Sequence, residues 1–389
     1  MQAHVDLHLV GDDWLLRVQR WLRAAPPVGL GIQRRAISLA LFAWLPIVIL
    51  TILEKRPFPI VGAKESLFDH YVVHAQCLVA IPLFVIGEAV AQSSTKLLSQ
   101  SICGNELIGN RGRMAFEALI RVHGHLRRSP IPWIFIVGIT VAWVARGARI
   151  YERHPALVSG ADLTGLELSL AGAWYVYVTR SVFGVLLLGW LWRLLLWWHF
   201  LARFTRLPLD LVPTHPDRVM GLGFFERTPA AFSALILGVS SVLAAEAAHQ
   251  IVFHNAELSR FYGLAGVYGA TTTVLILAPL LTFLLPLTVA KRSALVHYGA
   301  FVTRHDRLVR QRWVDGREVE DQRILEAPEL GPVADVGTLY QAIVACRYCP
   351  IGKPSLLAVL LPLAIPMLLV SLLKIPLGDL LSKLVGLVF

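Results

Sequence analysis

The amino-acid sequence predicts an all-α membrane protein, a polytopic bundle of about seven transmembrane helices. Of its 389 residues, 56% are hydrophobic and only 16% are charged, whereas a soluble chain carries about a quarter charged residues. Mean hydropathy is +0.62. Apolar runs long enough to cross a bilayer, ~20 residues each, recur along the whole chain. No separate soluble domain is expected.

The basic residues alternate between the predicted spans. The spans are 36–53, 71–92, 131–148, 173–203, 229–253, 264–290 and 355–375. Most of the 36 Lys and Arg lie in the odd-numbered segments that flank and connect these spans. The positive-inside rule therefore predicts a cytoplasmic N-terminus and a C-terminus on the opposite side.

The N-terminal arm, residues 1–35, is predicted to lie on the cytoplasmic surface as an interfacial helix. Asp12 or Asp13 can cap this helix. One face is apolar and the other is basic, as in helices that lie in the headgroup region. The apolar face comprises Trp14, Leu15, Val18, Trp21 and Leu22, and the basic face comprises Arg17, Arg20 and Arg23.

Three further regions follow the arm. Residues 36–290 form a core of six spans, with a polar loop at 204–228, and residues 291–354 form a basic cytoplasmic loop that is helical through Arg312. Residues 355–389 are predicted to be a helix kinked by prolines, followed by an amphipathic helix at 377–387. A re-entrant hairpin is the alternative for this last region.

The stretch 186–224 is the most distinctive part of the chain. Four Trp occur within nine positions of one helix, at 190, 192, 197 and 198, and such enrichment is typical of a membrane interface. The helix leads directly into a loop that contains His215, Pro216, Asp217 and Arg218. This loop is the most concentrated polar cluster near a span.

This stretch resembles a family of bacterial multi-pass inner-membrane proteins of uncharacterised function. The matching motifs are Trp190-Leu191-Trp192-Arg193-Leu194, Pro213-Thr214-His215-Pro216-Asp217-Arg218 and Gly221-Leu222-Gly223-Phe224, with His74, Leu78, Val79, Pro82, Leu83 and Glu88 in the second span. Gly189 replaces an Arg of the family pattern, and Met220-Gly221 replaces a Gly pair. The resemblance implies a fold, a topology and an inner-membrane location, with the C-terminus in the periplasm, but no activity.

Two ionisable residues inside spans are predicted to pair. Glu88 and Arg193 lie at similar depth on the cytoplasmic side, because their spans run in the same direction. An unpaired charge at the centre of a bilayer costs ~2.5–3.5 kcal/mol or more. The pair can be a structural clamp between helices or part of a path for ions or protons.

A second set of ionisable residues is predicted near the outer side. Arg180 and Glu246 are expected to pair, and His249 shares a helical face with Glu246, because the two are three residues apart. His74 lies at the same depth. The set can be a structural network or a proton-sensitive cluster. A metal site would need further Glu-x-x-His motifs that the chain lacks, so no metal is predicted.

The loop around His215 has two interpretations. It can be a structural turn in which Pro residues force an extended exit and Asp217 caps a following turn. Alternatively it can bind an anion through exposed Gly amides and basic side chains. The basic side chains concerned are His215, Arg218, Arg203, Arg206 and Arg227.

Motifs of known catalytic chemistry are absent from the sequence. Cys346-Arg347-Tyr348-Cys349 supplies one C-x-x-C pair, which cannot complete a tetrahedral zinc site. No nucleotide-binding Gly fingerprint, nucleophile elbow or zinc-protease motif occurs. We therefore predict no cofactor, and an enzyme is the less favoured class.

The leading functional hypothesis is a channel-like or transporter-like protein that moves a small solute or ion. One alternative is a non-transporting scaffold or sensor that binds a partner or anionic lipid. Another is a membrane-embedded enzyme at the cytoplasmic interface that uses His215, Asp217 and Arg218. The expected partners are the lipid bilayer and anionic headgroups, with a homo-oligomer possible. Nucleic acid is not expected, because the basic residues lie at span ends.

Overall fold

The protein folds as an all-α bundle with seven helices that are long and apolar enough to cross a membrane, as the sequence predicts. The chain is thus a multi-pass membrane protein. The structure, a computed structural model, describes residues 14–21, 26, 30–54, 69–104, 107–151, 158–159, 167–319 and 333–373.

Eleven helices can be delimited in these described residues. They are α1 (Trp14–Trp21), α2 (Ile32–Leu53), α3 (Tyr71–Gly104), α4 (Asn110–Arg128), α5 (Ile131–Tyr151), α6 (Leu170–Phe204), α7 (Ser233–Phe253), α8 (Ser259–Leu277), α9 (Leu284–Trp313), α10 (Val333–Val344) and α11 (Lys353–Ser371). Two 3₁₀ segments, Gly223–Phe232 and Ala278–Phe283, lead into α7 and α9. The strands Val158–Ser159 and Glu167–Leu168 form a short antiparallel pair.

The spans alternate in direction between two ends of the bundle. At one end, the Asp210 amide donates to the Leu107 carbonyl at 2.9 Å, which joins the loop after α6 to the turn after α3. We call this the HPD end, after His215, Pro216 and Asp217 in the loop 205–222, the HPD loop. At the opposite, far end, His249 Nδ1 lies 2.9 Å from the Asp69 carbonyl oxygen.

Several helices are longer than a bilayer crossing requires. α3 and α6 have 34 and 35 residues and are therefore about 50 Å long, against a hydrocarbon core of ~30 Å. The segment 93–130, which the sequence suggested was a loop, is mostly helical. α4 packs its inner face on α6, with Phe116 and Phe204 ring centroids 6.0 Å apart. Loops predicted from hydropathy thus form a helical platform continuous with the spans.

The Trp-rich part of α6 lies partly in the core rather than at a membrane interface. Trp190 and Trp197 are 1% and 3% exposed, and Trp190 Nε1 donates to the Phe84 carbonyl at 3.0 Å. Trp198 does lie on the surface. Trp190 thus packs between α6 and α3, whereas Trp197 stacks on Phe200 with ring centroids 5.6 Å apart.

Gly189 lies where the structure leaves no room for a side chain. A Cβ at this position would lie 3.0 Å from the Trp133 ring, closer than side-chain carbons normally approach. Trp133 itself is 1% exposed and stacks on Trp14 at 6.2 Å. The indole of α5 therefore occupies the space that a side chain at position 189 would need.

α1 forms as predicted but presents a different face to the bundle. Leu16 and Gln19 are buried, whereas Trp21 is 82% exposed. The buried face is set by a polar contact, because Gln19 accepts a hydrogen bond from Arg35 of α2. Asp12 and Asp13, predicted as caps, lie outside the described residues.

α11 crosses the bundle from the HPD end towards the far end. It continues through Pro362 and Pro366, and its last turns pack on α7, where Met367 and Val370 join a cluster with Ile251. The described part of this region is thus one helix up to Ser371, and the re-entrant hairpin stays a prediction. The predicted amphipathic helix at 377–387 lies outside that part.

Candidate functional site

The contact predicted between Glu88 and Arg193 is present and is part of a larger cluster. Arg193 Nη2 lies 2.8 Å from Glu88 Oε1, and Arg35 Nη1 lies 2.6 Å from Glu88 Oε2. All three side chains are at least 95% buried. We call this group the Glu88 clamp. It ties together α2, α3 and α6, since each helix supplies one residue.

Both arginines of the clamp are held by further contacts. Arg35 Nε donates to Gln19 Oε1 at 2.7 Å, and its Nη1 also donates to the Leu30 carbonyl at 3.2 Å. The Arg193 guanidinium lies 5.0 Å from the Trp190 ring centroid, within the range of a cation–π contact. Each Glu88 oxygen thus faces a fixed donor, and a solute could reach the carboxylate only by breaking an ion pair.

Sequence reasoning missed Arg35. This residue lies at the boundary between the N-terminal arm and the first span, where basic residues usually face lipid headgroups. Depth in the membrane was the one signal that could have identified it. Arg35 lies at the start of the first span, on the same side of the membrane as the end of the span that contains Glu88. Two guanidiniums on one carboxylate could have been inferred from that coincidence.

The predicted outer pair of Arg180 and Glu246 is wrong. The Arg180 guanidinium lies 4.4 Å from the Trp143 ring centroid on α5. Glu246 is exposed and accepts a hydrogen bond from Gln250 Nε2, one turn along its own helix, at 3.1 Å. The two residues share a depth but contact different neighbours, since depth does not fix the azimuth of a side chain around its helix.

The two outer histidines also have separate neighbours. His249 stacks near His70, with ring centroids 4.6 Å apart, and contacts the Asp69 carbonyl. His74 Nδ1 accepts a hydrogen bond from Trp44 Nε1 at 3.0 Å. Among the residues that the structure describes, no group of three or more His, Cys, Asp or Glu side chains is arranged to hold a metal ion.

The HPD loop is organised around the Asp217 carboxylate. Oδ1 accepts the amides of Val219 at 2.9 Å and Gly221 at 3.2 Å, and Oδ2 accepts the Gly223 amide at 2.8 Å. His215 Nδ1 lies 3.0 Å from Oδ1. The Gly amides proposed for an external anion are therefore occupied by the loop's own carboxylate. The anion hypothesis in that form is wrong.

These contacts decide the pKa of Asp217. Burial by itself would raise this pKa, but hydrogen bonds from the amides of Val219, Gly223 and Gly221 and from His215 outweigh it, so the pKa lies below its ordinary value of 3.8. Hydrogen bonds to the ionised form stabilise it. Asp217 is thus a permanent anion at neutral pH and a structural cap.

The backbone of the loop adopts an uncommon conformation that the carboxylate supports. Arg218 and Met220 both have φ of 59°, and Gly221 has φ of 91°. A non-Gly residue in this left-handed region is disfavoured by its Cβ. Met220 adopts it while fully buried. Local bonds to Asp217 hold the turn against this strain.

Arg347, between the two cysteines of the C-x-x-C pair, fastens the chain before α11 onto the HPD loop. Its amide donates to the Arg218 carbonyl at 2.7 Å, and its Nη2 donates to the Asp217 carbonyl at 3.3 Å. Its guanidinium also pairs with Glu226 and donates to the Ile351 carbonyl. Sequence reasoning considered the cysteines of this motif and overlooked the arginine.

The two cysteines are packed as hydrogen-bond donors. Cys346 Sγ donates to the Pro213 carbonyl at 3.2 Å, and Cys349 Sγ donates to the Leu280 carbonyl at 3.1 Å. Burial raises the pKa of both thiols, that of Cys349 to about 11. Such thiols are poor nucleophiles. Lys291 Nζ donates to the carbonyls of Val344 and Cys346, which closes the C-terminus of α10.

Exposed basic side chains surround the HPD loop. Arg203, Arg206, Arg218 and Arg227 are all exposed, and further exposed Arg occur along α4 and α9. The described part of the far end carries few exposed basic residues. Within the described residues, the two ends of the bundle therefore differ strongly in surface charge.

Comparisons of the chain with models of protein families, with curated proteins and with solved structures find no match.

We predict that Glu88→Gln destabilises the protein strongly. The neutral amide would leave two buried guanidiniums without a counter-charge, and removing one partner of a buried ion pair costs about 3–5 kcal/mol. Thermal unfolding in detergent would show a lower melting temperature. Glu117→Gln is the matched control, because Glu117 forms an exposed pair with Arg113, and such pairs contribute less than about 1 kcal/mol. Equal effects of the two changes would contradict the role assigned to the clamp.

We predict that Asp217→Asn destabilises the protein in a pH-dependent way. At pH 7 the change removes a carboxylate that accepts three amides and should cost about 1–3 kcal/mol. Because the folded pKa is depressed, this stabilisation is complete above the ordinary pKa of 3.8 and is lost as pH falls below it. The gap in melting temperature between wild type and variant should narrow below pH 3.8. Asp210→Asn, an exposed residue of the same loop, should show no such gap.

Proposed function

We propose that this protein is a non-transporting membrane component whose HPD end binds anionic lipid headgroups. One observation carries the proposal: the carboxylates of Glu88 and Asp217 are held by donors of the protein itself, whereas the exposed charge at the HPD end is predominantly basic. A site for passage or catalysis needs the reverse arrangement, with reactive groups that converge on free space.

The buried groups support this proposal because their acceptor positions are used. Both oxygens of Glu88 face guanidiniums, and both oxygens of Asp217 accept backbone amides. His215 contacts the same carboxylate, so the pair expected for a membrane-embedded enzyme serves the turn instead. These side chains stabilise the fold through contacts that leave no obvious reactive group.

The surface of the HPD end supports a ligand with negative charge. Arg203, Arg206, Arg218 and Arg227 lie around the HPD loop with exposed side chains. A juxtamembrane Lys or Arg contributes about 1 kcal/mol to the attraction of an anionic membrane surface. Guanidiniums can bind phosphate in a bidentate way, so headgroup phosphates fit this surface without the Gly amides that Asp217 occupies.

A groove on α9 adds a second basic feature at the same end. Its volume is about 450 Å³, which lies in the range of small-ligand sites. The described lining residues are Ala300, Thr303, Arg304, Arg307, Leu308 and Gln311. The Arg307 guanidinium beside the apolar side chains of Ala300 and Leu308 suits a phosphate ester that carries an apolar tail.

The same asymmetry supports an orientation. Basic residues concentrate on the cytoplasmic side of membrane proteins, and the inner leaflet carries the anionic lipid that attracts them. We therefore propose that the HPD end lies in the cytoplasm. The resemblance of the sequence to bacterial inner-membrane proteins is the ground for proposing a bacterial inner membrane.

The proposal predicts selective binding of anionic lipid. Purified protein in detergent, titrated with phosphatidylglycerol or phosphatidylcholine and followed by native mass spectrometry, should bind the anionic lipid more tightly. Arg203→Gln/Arg206→Gln should weaken phosphatidylglycerol binding by about tenfold or more, because each Arg contributes about 1 kcal/mol. Arg146→Gln/Arg260→Gln, which removes two exposed charges elsewhere on the surface, is the matched control. Equal binding of the two lipids, or equal losses in both variants, would refute the proposal.

Transport of a small ion remains the second candidate, because three ionised residues meet inside the bundle at the Glu88 clamp. It predicts voltage-driven or solute-induced flux in proteoliposomes that Glu88→Gln abolishes at equal protein content. Our proposal predicts no flux above that of empty liposomes across a broad panel of ions. Flux through wild type that Glu88→Gln removes would favour transport and overturn the non-transporting assignment.

A further inference from the structure

Two of the spans contain a π-helical segment, in which the backbone bonds join residues five apart instead of four. In α3 the segment is Ala75–Ala80, and the Ile81 amide donates to the Gln76 carbonyl. In α6 the segment is Trp174–Thr179, and the Arg180 amide donates to the Tyr175 carbonyl. π-Helical turns are rare, and they occur frequently at functional sites.

The two π segments contact each other through equivalent positions. Gln76 and Tyr175 are each the second residue of their segment, and the Tyr175 hydroxyl donates to Gln76 Oε1 at 3.2 Å. The two side chains are 7% and 4% exposed. The side-chain bond therefore links the same two residues whose carbonyls accept the five-residue backbone bonds.

The helix α2 completes this contact, as it does in the Glu88 clamp. Thr179 Oγ1 donates to the Ala43 carbonyl at 2.9 Å, and Trp44 Nε1 donates to His74, which directly precedes the first π segment. The same three helices are thus joined at two levels, about 12 Å apart along α2 at 1.5 Å per residue. We call the level nearer the far end, at the two π segments, the π junction.

Helical geometry connects the two levels. Glu88 lies roughly two turns beyond the π segment of α3, and Arg193 lies roughly four turns beyond that of α6. If a π segment changes to α geometry without loss of a residue, the register of the helix beyond it shifts. Each residue of shift rotates that part of the helix about its axis by about 100°. Glu88 or Arg193 would then point away from its partner.

We propose that the paired π segments are a register hinge that couples the far half of the bundle to the Glu88 clamp. The state in the structure has both segments in the π form and the clamp closed. A second state has the α3 segment, Ala75–Ala80, in the α form and the clamp open. The hydrogen bond between Tyr175 and Gln76 favours the closed state, because it requires the π form on both sides.

Double electron–electron resonance, which measures the distance between two spin labels, tests this hinge. Spin labels on Cys103, exposed at the HPD end of α3, and on Arg203→Cys of α6 report how the two helix ends are placed. Wild type should show a major and a minor distance. Tyr175→Phe should raise the ratio of minor to major by about fivefold, the effect of losing one hydrogen bond, and Glu88→Gln should shift the ratio in the same direction.

The control and a second variant keep the test decisive. Tyr177→Phe changes a 50% exposed residue of the same π segment and should leave the distances unchanged. Deleting Val79, which is 39% exposed, returns the first π segment to α spacing while the flanking turns keep their register, so the minor distance should disappear. Identical distributions for Tyr175→Phe and Tyr177→Phe, or a minor distance that persists without Val79, would overturn the hinge.

Discussion

A buried charge in a bilayer protein must be neutralised within the protein, and the architecture follows from this requirement. Glu88 cannot remain ionised among apolar helices without a counter-charge, and the structure places one guanidinium on each of its oxygens. Since Arg35, Glu88 and Arg193 belong to different helices, neutralisation also fixes how α2, α3 and α6 are rotated about their axes. Apolar packing by itself specifies such rotation weakly, because lipid-facing and helix-facing side chains are equally apolar.

The HPD loop meets a similar requirement outside the membrane. Its turn includes non-Gly residues in the left-handed region, and the Asp217 carboxylate compensates by accepting three amides of the same turn. Arg347 then covers the outward carbonyls of Asp217 and Arg218. The HPD loop, which the sequence offered as a ligand site, is thus a turn stabilised by its own hydrogen bonds. Its polar groups serve each other, and the ligand-facing charge is left to the arginines around it.

The sequence predicts those features that depend on long apolar runs or on the depth of single charged residues. The seven spans, the basic end and the contact of Glu88 with Arg193 all followed from length, charge and depth. The direction in which a side chain points around its helix axis could not be predicted from the sequence. Arg180 and Glu246 share a depth but have different neighbours. The amphipathic α4 cannot be distinguished from a connecting loop by hydropathy, because its mean hydropathy is low. The π segments have no compositional signature, since their residues are ordinary for a span.

The docking of Arg347 on the HPD loop gives the fold an order of assembly. Synthesis delivers residues 212–223 well before Arg347, so six spans are already in the membrane while the carbonyls of Asp217 and Arg218 still lack their donor. When α11 inserts, the segment ahead of it reaches the loop, and Arg347 joins Glu226 at the entrance to α7. A chain that ends before α11 therefore differs from the full-length protein in one defined way. Its HPD loop lacks the hydrogen bonds from Arg347 to the carbonyls of Asp217 and Arg218.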